Sequence, residues 1–112
     1  MRFNITPAAS RDMASIADDL ADRVGLNSSD RFLQGVTTKI AWLTQFSSMG
    51  RRRDDLAPGI RSLNYEKYLI FYRVNDEAVD VLRVVQGSRN LEQLFQPDVS
   101  PKVLPQAAKK SS

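Results

Sequence analysis

Cysteine and histidine are both missing from the 112 residues, and each absence narrows the chemistry. Without cysteine there is no disulfide and no thiolate metal site, so stability must come from apolar burial. Without histidine the usual general base near neutral pH and the commonest metal ligand are gone, which excludes a histidine-based hydrolase. No motif calls for a cofactor. Long hydrophobic runs are missing too. The opening MRFNITPAAS lacks the apolar stretch of a secretory signal, and nothing approaches the roughly 20 apolar residues of a membrane span, so a cytoplasmic protein with no membrane partner is expected. Charge of one sign is scarce: the formal excess is +3, residues 1–50 balance five basic against five acidic groups, and Lys102, Lys109 and Lys110 against Asp98 place much of the excess in residues 97–112. Direct nucleic-acid binding through bulk charge is therefore poorly supported.

What is present suits one small α+β domain, expected over residues 1–96, followed by a tail over 97–112 whose prolines and small polar residues read as flexible. RFNIT alternates as a short strand. Thr6-Pro7 then predicts a helix start, with Met13, Ile16, Ala17, Leu20 and Val24 at helical spacing and Gly25 as the stop. Ser28 or Ser29 is the expected cap of a second helix carrying Phe32, Val36, Ile40 and Leu43, widened by Leu33, Trp42 and Phe46. The short link makes the pair an antiparallel hairpin. After the polar stretch SSMGRRRDDLAPG come IRSLNY, YLIFYRV and VDVLRVV, separated by short turns, which predicts an antiparallel meander for the hairpin to pack on. SRNLEQLF reads as a short C-terminal helix.

Simple alternation places Tyr68, Ile70 and Tyr72 on one face of the middle strand and Leu69, Phe71 and Arg73 on the other. In the last strand it puts Val79, Val81 and Val85 opposite Leu82 and Val84. Both sheet faces are thus apolar, and only one can lie under the helices; the other is a candidate partner site.

The segment GRRRDDLAPGIRSLNYEKYLIFYRVNDEAVDVLRVVQGSRNLEQLF resembles the ParE-type signature of the RelE/ParE toxin superfamily. The matching features are a Gly-Arg loop, Gly-x-Arg-Ser leading into the sheet, Tyr-x-x-x-Tyr-Arg-Val, Arg-Val-Val and a short terminal helix. The order of elements agrees. Relatives commonly carry histidine before the glycine after the last strand, where this chain has Gln86-Gly87. The resemblance implies the toxin of a type II toxin–antitoxin system, neutralised in a hetero-oligomer by a cognate ParD-like antitoxin whose C-terminal segment wraps it.

Two mechanisms divide the superfamily. RelE-like members are ribosome-dependent messenger RNA endonucleases that need a proton acceptor, cations for the phosphorane and a donor to the leaving oxygen. Laid on this chain, their basic positions fall on Ala57, Gly59 and Leu69; Arg89 matches an arginine, and the terminal tyrosine position falls on Phe95, which has no hydroxyl. No catalytic residue is assigned. ParE-like members inhibit DNA gyrase by binding it, which demands a surface rather than a reaction centre, and contact with DNA then comes only through gyrase or the antitoxin. This chain fits the gyrase inhibitor better, with the nuclease and a non-toxic relic of the family as alternatives.

Candidate partner-binding residues are Arg51, Arg52, Arg53, Arg61, Arg73, Arg83, Arg89 and Phe95, and the candidate antitoxin groove is Leu69, Phe71, Leu82 and Val84. Each has a plainer reading. Asp54 and Asp55 can neutralise the arginine run, and Glu66, Glu77 and Asp80 can pair with Arg61, Arg73 and Arg83. Trp42 is expected to pack against the sheet rather than anchor an interface. Asp18, Asp19 and Asp22 read as a solvated helix face.

Overall fold

The computed structural model describes residues 1–87 and 91–95. Its elements run β1 (Arg2–Ile5), α1 (Pro7–Arg23), α2 (Leu26–Leu43), β2 (Arg51–Arg52), β3 (Ile60–Tyr65), β4 (Tyr68–Val74), β5 (Ala78–Gln86) and a 3₁₀ turn (Leu91–Phe95). The sheet has the order β1-β5-β4-β3-β2. It is a meander extended by one parallel strand, because the two helices carry the chain from β1 across the sheet before the meander begins. β1 then lies parallel to β5, with Ile5 opposite Val81.

Local signals set most boundaries. Thr6 is extended and its Oγ1 accepts from the Ala9 N–H at 3.2 Å, while Pro7 occupies the first turn where no N–H is needed. Gly25, at φ 127°, turns the chain between the helices, and its N–H donates to the Leu20 carbonyl at 2.9 Å. That tight turn corrects one expectation: α2 begins at Leu26 directly after Gly25, so neither Ser28 nor Ser29 is its cap. Both are already inside the helix.

The helices bury Ala9, Met13 and Ala17 of α1 and Phe32, Val36 and Ile40 of α2 against Tyr68, Ile70, Val81 and Val84. Phe32 meets the Tyr68 ring edge-on at 4.9 Å between centroids. Each fully buried side chain of this size stabilises by about 1.5–3 kcal/mol, so the 3.6-residue stripe decides which way α2 faces.

Alternation fails in one place. Between β4 and β5 the register runs Phe71 to Arg83 and then Tyr72 to Val81, so Leu82 is an extra residue in a bulge. Beyond it the strand's parity is reversed. Val84 joins Val81 under the helices, and Val85 joins Phe71 and Ile60 on the far face, the opposite of the strict alternation expected for this strand. Where β1 ends, α1 takes over the edge of β5: the Thr6 hydroxyl donates to the Leu82 carbonyl at 3.2 Å, and Asp12 accepts from the Val84 N–H at 3.0 Å. The edge is thereby satisfied without another strand.

Candidate functional site

The far face of the sheet is the candidate groove. Ile60, Phe71 and Val85 are buried there, covered by Leu56 and Ala57 of the loop before β3 and by Leu91, Leu94 and Phe95 of the 3₁₀ turn. The Phe95 ring meets Phe71 edge-on at 5.1 Å. Of the four groove residues, Leu69 and Leu82 are partly buried on this face, Phe71 is fully buried in it, and Val84 lies on the other side beneath the helices. The structure therefore brings three of the four together, under a cover supplied by the chain itself. Phe95 belongs to that cover.

The sheet arginines take partners that the sequence did not suggest. Arg61 donates to the Gly50 carbonyl at 2.8 Å and the Ser48 carbonyl at 3.3 Å. Arg73 donates to the Pro58 carbonyl at 3.1 Å. Arg83 grips Asp12 of α1 through two nitrogens, at 2.7 and 2.9 Å, with both side chains mostly buried. This contact holds the Arg83 pKa above its ordinary value, chiefly through the hydrogen bond to Asp12. Glu66, Glu77 and Asp80 serve none of the three. Asp80 accepts instead from Asn4 and Asn75, and Glu77 pairs at long range with Arg2.

Tyr72 adds a further lock on the loop. Its hydroxyl accepts from the Gly50 N–H and donates to the Ser47 carbonyl, both at 2.8 Å. Burial pushes the Tyr72 pKa up, with the Gly50 N–H and Arg61 opposing. Gly50 is required by this closeness: a Cβ there would lie 2.5 Å from the Tyr72 hydroxyl and 2.9 Å from the Ser62 carbonyl oxygen. The arginine run is then folded back on its own acids. Arg52 pairs with Asp54 at 2.7 Å and Arg53 with Asp55 at 3.0 Å. Asp54 also accepts from the Gly59 N–H, which chiefly holds its carboxyl below the usual range, while Arg53 does the same for Asp55. Arg51, exposed on β2, pairs with no carboxylate among the described residues. Arg89 lies outside the described residues.

Two features escaped the sequence pattern. β2 is only two residues long and pairs with Arg61 and Ser62, which leaves the outer edge of Leu63, Asn64 and Tyr65 without a strand among the described residues. Trp42 is exposed rather than packed on the sheet, with the Lys39 ammonium 4.9 Å from its ring centroid. A stricter helical wheel finds it: at about 100° per residue, Trp42 falls roughly a third of a turn from the centre of the Phe32–Val36–Ile40–Leu43 stripe.

No helix of the described residues is long and apolar enough to cross a membrane. Helical hairpin, mixed sheet and self-covered far face together give the architecture of a small RelE/ParE-type toxin. A solved structure called "Chromosomal ParDE TA system from P. aeruginosa" superposes with a TM-score of 0.68 at 24% identity, over 77% of this chain and 95% of that one. Toxin ParE3 of Caulobacter vibrioides is 30% identical over 86 residues, 77% of this chain and 86% of the relative. Toxin ParE1 of Mycobacterium tuberculosis is 29% identical over 92 residues, 81% of this chain and 94% of the relative. The family model described as "ParE toxin of type II toxin-antitoxin system, parDE" matches residues 3–91. The chain belongs to that family.

Proposed function

We propose that this ParE-family toxin acts by binding DNA gyrase in the cytoplasm, without chemistry of its own, and that a ParD-like antitoxin holds it inactive in a complex. The observation that carries this reading is the employment of the sheet arginines. Arg61 and Arg73 are spent on backbone carbonyls and Arg83 on Asp12, so these guanidinium groups serve the fold rather than a phosphate. The chain also has no histidine to accept a proton. Phe95, where the nuclease pattern carries a tyrosine, presents its ring to Phe71 and has no hydroxyl to offer.

Gyrase binding is tested by adding the purified protein to a supercoiling reaction, where loss of supercoiling and accumulation of cleaved DNA held on gyrase are expected. Unimpaired gyrase together with cleavage of messages on translating ribosomes would replace this reading by the nuclease one. Expression without antitoxin should arrest growth, and normal growth would indicate a relic.

A further inference from the structure

On the far face of the sheet a recess stays open between β2 and the 3₁₀ turn, and it holds polar groups that the fold leaves unused. β3 supplies its floor. Ser62 and Asn64 stand opposite Phe71 and Leu69 of β4 and share their side of the sheet. β2 supplies one wall: Arg51 is paired directly across from Ser62, so its side chain rises on that same side, and Arg53 follows two residues on. Met49, ahead of β2, continues this wall beside Asn64, while Leu69 and Leu91 form the other. The space is about 510 Å³, more than a bare oxyanion fills and within the range of small-molecule sites.

Three donors here lack an acceptor. Ser62 is only 6% exposed, yet its hydroxyl makes no hydrogen bond among the described residues; a buried hydroxyl in that state costs stability that alanine would not. Arg51 is exposed and pairs with no carboxylate among the described residues. Arg53 gives Nε and Nη2 to Asp55 and keeps Nη1 without a bond among the described residues. Asp55 neutralises Arg53, so the charge of the recess rests on Arg51, and no carboxylate lines it. The arrangement is also two-ended. The donors gather where β2 and β3 are paired, and beyond them Asn64 lies between Met49 on one side and Leu69 and Leu91 on the other. A phosphate suits the first end, where arginines and a hydroxyl donate to its oxygens. A flat ring suits the second, and the Asn64 amide, donor and acceptor together, matches a nucleobase edge. A sugar phosphate has no apolar body for that slot, and a phosphopeptide would set backbone amides against apolar side chains there.

We infer that this recess binds a nucleotide, with Arg51, Arg53 and Ser62 donating to its phosphate and the base lying between Met49 and Leu69 with its edge at Asn64. The nucleotide is held and not cut, because no lining residue is a carboxylate, histidine, lysine or tyrosine that moves a proton. Such binding goes beyond the contact with gyrase and does not depend on it.

The full-length protein is titrated with AMP, adenosine, inorganic phosphate, phosphotyrosine and a short single-stranded DNA while its backbone amide resonances are followed. AMP is expected to shift the amides of Arg51, Ser62 and Asn64 and to bind about tenfold tighter than phosphate or adenosine, since it alone fills both ends. Arg51→Gln should weaken AMP binding about tenfold and flatten its salt dependence, with Arg51→Lys in between. Ser62→Ala should weaken it about threefold while thermal melting of the free protein stays unchanged or rises, which a purely structural hydroxyl would not give. Shifts elsewhere, or wild-type affinity in Arg51→Gln and Ser62→Ala, overturn the site. Phosphate bound as tightly as AMP would leave only an anion site, and phosphotyrosine bound tighter would give the recess to a phosphopeptide; either result refutes the proposal. The DNA arm separates two sources of the same chemistry. Equal affinity for AMP and DNA identifies a free nucleotide as the ligand, whereas DNA bound about tenfold tighter, and weakened by Arg51→Gln, identifies a nucleotide within a strand.

Discussion

The two faces of the sheet are both apolar, yet they are closed by different means. The inner face is covered by α1 and α2, whose buried residues recur at helical spacing; its core is a main cluster from Ala9 to Val84 and a smaller one of Leu43, Tyr72 and Val79. The outer face is covered by irregular chain: Leu56 and Ala57 from one side, Leu91, Leu94 and Phe95 from the other. The loop part of this cover pairs some of its own backbone, as in the Leu56 N–H on the Arg53 carbonyl, and sheet and loop side chains tie down more of it. Arg73 on the Pro58 carbonyl and Asp54 on the Gly59 N–H perform that task for the loop, and Arg61 and Tyr72 do it for the chain leading into it. A helical cover carries its hydrogen bonds with it; a loop cover takes several of its own from side chains, Arg73, Arg61 and Tyr72 of the sheet and Asp54 of the loop.

If the outer face is core in the same sense as the inner one, truncation on either side should cost alike. Phe32→Ala, which opens the helix side, and Phe71→Ala, which opens the loop side, are each expected to lower stability by about 3–5 kcal/mol, read from chemical denaturation. The equality of the two is the sharp point. A loss below about 1 kcal/mol for Phe71→Ala would mean that the irregular cover collapses onto the void or was never tightly packed, and the comparison would break.

The junction between α1 and β5 should be next in sensitivity. Asp12 accepts from Arg83 twice and from the Val84 N–H, so Asp12→Ala leaves a mostly buried guanidinium and a strand N–H without partners. A loss of about 2–3 kcal/mol is expected, below that of a fully buried ion pair because water still reaches Arg83. Asp12→Asn keeps an acceptor for Val84 and should lose roughly half as much. Equal losses for the two variants would show that charge alone, and not the closing of the bulged edge, is what Asp12 contributes.

The inner face is legible in the sequence because its signals are local. Thr6-Pro7, Gly25 and the Phe32–Val36–Ile40–Leu43 stripe each act within a few residues of where they stand. The bulge at Leu82 is not, since the residue that closes the edge beside it, Asp12, is 72 positions from Val84 in the chain, and strict alternation contains no hint of it. The same holds for the site. Carboxylates can be counted in a sequence and assigned to arginines, but Arg61 and Arg73 take carbonyls, and a carbonyl has no residue identity to read. Trp42 is misplaced by pattern for a different reason: a wide apolar stripe is credited to the core, although only its central third faces the sheet.

The smallest expected effect is a pH response confined to the loop cover. Asp54 is held below its ordinary value of 3.8, first by the Gly59 N–H and then by Arg52, and Asp55 is held below the same value first by Arg53. A carboxylate depressed in the folded protein contributes order that is fully present above its unfolded pKa and is lost as pH falls through the lower folded one. The loop should therefore stay closed at about pH 5 and loosen only below 3.8, while α2, whose buried contacts contain no carboxylate, holds its structure. The Gly59 amide resonance, read during an acid titration, should move with a midpoint below 3.8 and stop titrating in Asp54→Asn. A midpoint at or above that value would show that Gly59 and Arg52 do not hold the Asp54 charge. The loop cover would then rest on Arg73, Arg61 and Tyr72 alone, and the two faces of the sheet would respond to acid together.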